Sequence, residues 1–175
     1  MRLNKSVVSV LLAGLVLFGH AAVAAADQVV FVVRHAERAD SGSGPPPAGM
    51  MANDPPLSAA GKERAARLAT LLASADVKHI YTTEFKRTRE TAAPLAQQLR
   101  VEAVASAARD SDSLVQQVTK VAGNVLIVGH SNTVPDLLKR LGVKNAISIA
   151  DNEYDNLFVV VRPAAGEPTL IRLRY

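Results

Sequence analysis

The ten residues "FVVRHAERAD" (31–40) run from three apolar side chains straight into Arg34 and His35, with Glu37 and Arg38 just behind. The segment they close, "QVVFVV" (28–33), is apolar and β-branched without polar alternation. That pattern belongs to a strand covered on both faces. A buried strand that ends abruptly in charge and imidazole points to the rim of a sheet. In an open parallel sheet, ligands sit beyond the carboxyl ends of the strands.

Downstream, strand and helix patterns alternate. "LSAAGKERAARLATLLASA" (57–75) reads as a helix with Ser58 as N-cap and Ala65, Leu68, Leu71 and Leu72 on its apolar face. "VKHIYT" (77–82) reads as a short strand, and "EFKRTRETAAPLAQQL" (84–99) as a helix in which Pro94 marks a kink or a late start. "DSLVQQVTKVA" (112–122) is a third helix, "NVLIVGH" (124–130) a second apolar strand, and "TVPDLLKRLG" (133–142) a helix closed by Gly142. "NLFVVVR" (156–162) and "PTLIRLR" (168–174) make a hairpin around "PAAGEP". This order predicts a three-layer α/β/α fold with a mostly parallel central sheet. The Pro/Gly/Ser-rich stretch 41–56 is too long for a simple connector, so the 38–56 loop is either a lid or a surface excursion.

The first 26 residues read differently. Arg2 and Lys5 precede the unbroken apolar run 6–19, and an Ala-rich stretch follows before Asp27. This is the layout of a secretory signal peptide, with cleavage expected after Ala26 or, second, Ala24. The expected mature domain is then 27–175, periplasmic or secreted, with no stable membrane anchor. The chain has no cysteine, which removes disulfides and a lipidated N-terminus alike. Its formal charge of +4 includes the two leader cations. With no tryptophan and 4% aromatics, a nucleic-acid surface is poorly supported.

The chemistry gathers on one rim. "VVFVV" delivers Arg34 and His35, "VLIVG" delivers His130, and "YTTEFKRTRETA" leaves a strand and carries Arg87 into the first turns of a helix. Two arginines and two histidines around one cavity suit a phosphate dianion, because guanidinium forks match its oxygens in pairs. Arg89 falls on another helical face and reads as peripheral. A metal centre is disfavoured, since no His-x-x-x-His or His-Glu-x-x-His spacing occurs and the arginines would repel a cation. No cofactor is called for.

Four blocks, "VVRHAE", "LSAAGKERA", "TTEFKRTRETA" and "VLIVGHSNT", together resemble the histidine phosphatase superfamily, also called phosphoglycerate-mutase-like. The likeness is greatest to small members without a cap, such as bacterial phosphohistidine phosphatase. It implies a phosphoglycerate-mutase-like fold and a small phosphorylated substrate. It also implies His35 as nucleophile, with Arg34, Arg87 and His130 binding the transferred phosphoryl group. Two positions depart from the family pattern. Ala36 replaces a usual glycine, a change the turn tolerates unless φ is positive there. Ser131 stands where one branch has its acidic proton donor. By the resemblance to the mutase-like branch the donor lies between Arg87 and His130, which leads to Asp110, with Asp112, Glu102 and Glu37 behind it. The reading is an exported phosphomonoesterase; a mutase-like phosphotransferase and a degenerate phosphate-binding module are the alternatives.

Overall fold

A computed structural model describes residues 27–40 and 54–175. The proposed leader and its cleavage site, and the 41–53 part of the long loop, lie outside the described residues. Strand β1 (Gln28–Arg34) sits inside a six-stranded sheet, parallel to β4 (Asn124–Gly129) on one side and antiparallel to β5 (Asn156–Arg162) on the other. With β2 (Val77–Thr83), β3 (Ala103–Ser106) and β6 (Thr169–Arg174), the order is β3-β2-β4-β1-β5-β6. The first four strands in that order run parallel, β5 runs against them, and β6, antiparallel to β5, runs with them again.

The apolar run of β1 is explained by two cores. Phe31 and Val33 face α1 (Ala59–Leu72) and α2 (Lys86–Leu99), packing with Leu68, Leu72, Ala92 and Leu95. Val30 and Val32 face α3 (Ser111–Lys120) and α4 (Thr133–Arg140), packing with Leu114, Val118, Leu137 and Leu138. Both faces of the strand are therefore dry, and three layers result. No helix among the described residues is long and apolar enough to cross a membrane.

Local expectations hold in most places. Ser58 caps α1 by accepting from Gly61 N at 3.0 Å. Gly142, at φ +95°, follows α4, and Val143 N bonds back to Leu138 O. Leu71 is a correction: it is 51% exposed. At about 100° per residue it lies roughly a quarter turn from the stripe of Gly61, Ala65, Leu68 and Leu72. Pro94 does not delay α2, which begins eight residues earlier at Lys86. Strand β3 was not expected. It is a four-residue, half-exposed edge strand of small side chains, so it carries neither alternation nor an apolar run.

Candidate active site

The parallel pairing of β1 with β4 places Arg34 opposite Gly129, and His35 N continues the ladder by donating to Gly129 O at 2.9 Å. The next residue on each strand is a histidine. His35 and His130 therefore lie side by side, ring centroids 5.2 Å apart and edge to face. Both are buried.

His35 Nδ1 is 2.8 Å from the carbonyl of Ala36. A carbonyl only accepts, so Nδ1 carries the proton and the lone pair of the neutral ring is on Nε2. Burial lowers the His35 pKa to about 3; the Ala36 bond works against this, and the fields of His130, Arg87 and Arg34 work with it. Burial, and then Arg87, lower His130 to about 4. Both rings are neutral at pH 7. His130 Nε2 lies 3.0 Å from Thr83 Oγ1, itself 2.9 Å from the buried Thr88 hydroxyl of α2. Thr91, one turn on, accepts from Ala36 N at 3.0 Å. The threonines of "TRETA" thus tie both histidine segments to α2. Ala36 is fully buried and its φ is not positive, so the alanine fits the turn.

Arg34 is buried, and its Nη1 donates to the carbonyls of Ala150, Asp151 and Glu153 at 3.0–3.1 Å. Its guanidinium lies 4.0 Å from the centre of the Tyr154 ring. Arg87 stacks 4.3 Å over Phe85, with Nη1 3.7 Å from Asp54 Oδ1, too long for a hydrogen bond. Desolvation, aided by the charge of Arg38, pulls the Arg87 pKa down from its usual value. The Nε atoms of both Arg34 and Arg87 are buried without a partner. Arg89 is exposed, as its helical face implied.

These four residues line one cavity of about 540 Å³, together with Arg38, Phe85, Arg109, Ser131, Asn132, Asp151 and Tyr154 among others. The start of α4 contributes Thr133 to the same wall, and helix N-termini favour anions. Asp110 is not brought into the cavity. Its Oδ1 accepts from Ser113 N at 3.0 Å and caps α3. Asp112 pairs with Arg140, and Glu102 lies in a separate groove beside Lys78 and Arg100. Glu37 is held by Arg64 at 2.6–3.0 Å; burial would raise its pKa, but the Arg64 bonds and charge hold it below the usual value.

All sixteen carboxylates fall within the described residues, since neither 1–26 nor 41–53 contains Asp or Glu. Asp151 is the one among them that lines the cavity. Sequence reasoning missed it, along with Tyr154, Arg38 and Arg109. The signal available was the direction of β5: an antiparallel neighbour of β1 must begin at the rim where β1 ends, which carries residues 150–155 there.

The model of the histidine phosphatase superfamily (branch 1) matches residues 30–110. Among solved structures, the SixA protein of Agrobacterium tumefaciens is 22% identical with a TM-score of 0.63, over 84% of this chain and 98% of that one. The protein histidine phosphatase SixA complexed with tungstate gives 18% and 0.64, over 83% and 96%. Phosphoglycerate mutase from Bacillus anthracis str. Sterne gives 14% and 0.64, over 86% and 94%. No curated protein matches the chain. The superfamily resemblance and the phosphoglycerate-mutase-like α/β fold are borne out; the matched segment takes in the first three sequence blocks, and the fourth, at 125–133, lies beyond it.

Proposed function

We propose that this chain, with the fold and branch 1 signature of the histidine phosphatase superfamily, is a phosphomonoesterase acting through a phosphohistidine on His35. The observation that carries this is the state of His35. It is neutral, its Nδ1 proton is fixed on the Ala36 carbonyl, and its basic Nε2 belongs to a ring set among His130, Arg34 and Arg87. Nε2 attacks phosphorus as the bond to the ester oxygen breaks, and the leaving alkoxide takes a proton. Water then attacks the phosphohistidine, loses a proton and releases phosphate, which frees His35. Arg34, Arg87 and His130 hold the equatorial oxygens through both steps. The unpartnered buried Nε–H groups of the two arginines suit such an anion. A tetrahedral oxyanion, tungstate, is bound by one protein of this fold. The proton donor in this scheme is Asp151, the cavity's carboxylate, since Asp110 is engaged as a cap. The leader-like N-terminus supports action outside the cytoplasm.

Rapid quenching during turnover of a labelled aryl phosphate tests the reading. An acid-labile, base-stable phosphoryl adduct is expected, absent in His35→Ala along with the activity. Hydrolysis that persists in folded His35→Ala would overturn it. Phosphate passed to an added alcohol acceptor, with no net hydrolysis, would indicate a mutase-like transferase instead.

A further inference from the structure

The phosphoryl position proposed above takes up only the middle of the cavity. Its volume of about 540 Å³ falls among pockets that enclose whole small molecules, roughly 300–1,000 Å³. Strand order spreads the lining charges along the rim. The reacting histidines end β1 and β4; Asp151 and Tyr154 come from the β5 side, and Arg109 comes from the far side, after β3.

Arg109 is exposed and makes no hydrogen bond or ion pair among the described residues. The other cavity arginines are engaged: Arg34 by three carbonyls, Arg38 by Asp40 at 3.0 Å, and Arg87 by Phe85 with Asp54 nearby. On the β3 side the neighbouring carboxylate, Glu84, is occupied by Ala108 N at 2.8 Å. The cavity's own carboxylate, Asp151, is at the opposite end. A cation without a partner thus stands at one end of the cavity, with Phe85 and Ala108 lining the stretch between.

We infer that Arg109 forms a second anion subsite, so that this site takes small phosphate esters whose alcohol carries a further anionic group. The inference rests on the phosphatase reading for the word ester, but the subsite itself is a matter of binding. β4 and β3 are two strand spacings apart, roughly 10 Å. An arginine reaching back across about half of that meets a group a short chain away from the phosphoryl group. The ester oxygen stays central, within the compass of Asp151, while the alcohol extends toward β3.

Calorimetric titration of the purified protein with propylphosphonate and propane-1,3-diphosphonate tests this, because neither probe can be hydrolysed. The diphosphonate should bind roughly ten- to a hundredfold more tightly, the worth of one charge-assisted contact. That advantage should shrink as salt rises. Arg109→Ala should bring the two affinities close together, and Arg109→Glu should reverse their order. Arg109 is a surface side chain, so neither variant threatens the fold. No advantage for the diphosphonate in the wild type, or a full advantage kept in Arg109→Ala, would overturn the inference. A preserved preference without turnover of any ester would remove the phosphatase reading and leave the subsite. Turnover without the preference would do the reverse.

Discussion

The centre of the cavity and its β5 end are held by different means. At the centre, regular structure fixes the chemistry: the β1–β4 ladder runs to His35 N and Gly129 O, Thr91 of α2 holds Ala36, and Thr88 of α2 holds Thr83, the β2 residue that meets His130. At the β5 end, a segment without strand or helix forms the wall. One side chain gathers it, since Arg34 donates to the carbonyls of Ala150, Asp151 and Glu153 there and lies over Tyr154. Glu153 adds a bond to Ala150 N. A ladder resists the loss of any one side chain, whereas a wall organised by one arginine does not.

On the proposed function Arg34 has two jobs, wall and phosphate, where Arg87 has one, and this is the largest expected difference. Loss of a phosphate contact should cost about 2–4 kcal/mol, roughly thirty- to several-hundredfold in kcat/KM, in Arg34→Ala and in Arg87→Ala. Only Arg34→Ala should also speed proteolysis within residues 144–155. Lysine should recover little at either position, because a point charge does not reproduce the fork. Equal protease resistance in the two variants would break the comparison.

Gly61 tests how firmly the centre is clamped. A Cβ there would meet Glu37 O at 2.2 Å, and Ser58 N already bonds that oxygen at 2.9 Å. Gly61→Ala should cost about 1–3 kcal/mol of stability by overpacking. Because Glu37 is two residues past His35, kcat/KM should fall as well. Leu71→Ser, on the exposed side of the same helix, should do neither. Unchanged melting of Gly61→Ala would mean that α1 yields to the turn.

The centre should also show itself in acid. His35 and His130 have folded pKa values near 3 and 4 against 6.5 in the unfolded chain. Above pH 6.5 neither state is protonated and the full stability is present. Below it the unfolded chain takes up protons first, so stability falls as pH drops, until about 4 for His130 and about 3 for His35. Each contributes a slope of up to about 1.4 kcal/mol per pH unit. Urea midpoints between pH 7 and 5 should therefore decline less steeply in His35→Asn and in His130→Asn. Slopes identical to wild type would show that the rings are not held neutral.

The same division governs what could be read from the sequence. β1 and β4 announce themselves because strands dry on both faces must be apolar throughout, and the histidines follow from where those runs stop. Arg87 follows from the start of α2. Strand β3, half exposed and built on Ala103 and Ala105, has no such constraint and leaves no pattern. Residues 144–155 carry neither period, so Asp151 and Tyr154 could be located only through the direction of β5. Asp110 illustrates the limit of counting along the chain. An aspartate directly before a helix satisfies the position expected of a proton donor and the preference for an N-cap equally well.

That ambiguity gives the smallest and most discriminating test. As a cap, Asp110 accepts from Ser113 N, and its replacement by Ala should cost about 0.5–2 kcal/mol of stability. Activity at a temperature where the fold is intact should then fall equally, or not at all, for every ester. Asp151→Asn should behave the other way, with little change in melting. Its rate loss should depend on the leaving group: a nitrophenolate departs without a proton, whereas an alkoxide must be protonated as the bond breaks. An alkyl phosphate should therefore suffer far more than a nitrophenyl ester in Asp151→Asn. If the leaving-group dependence appears in Asp110→Ala instead, the cap opens during turnover and the donor reaches the cavity from α3. If it appears in neither, the proton comes from solvent or from the monoanionic phosphate, and the β5 wall serves binding alone.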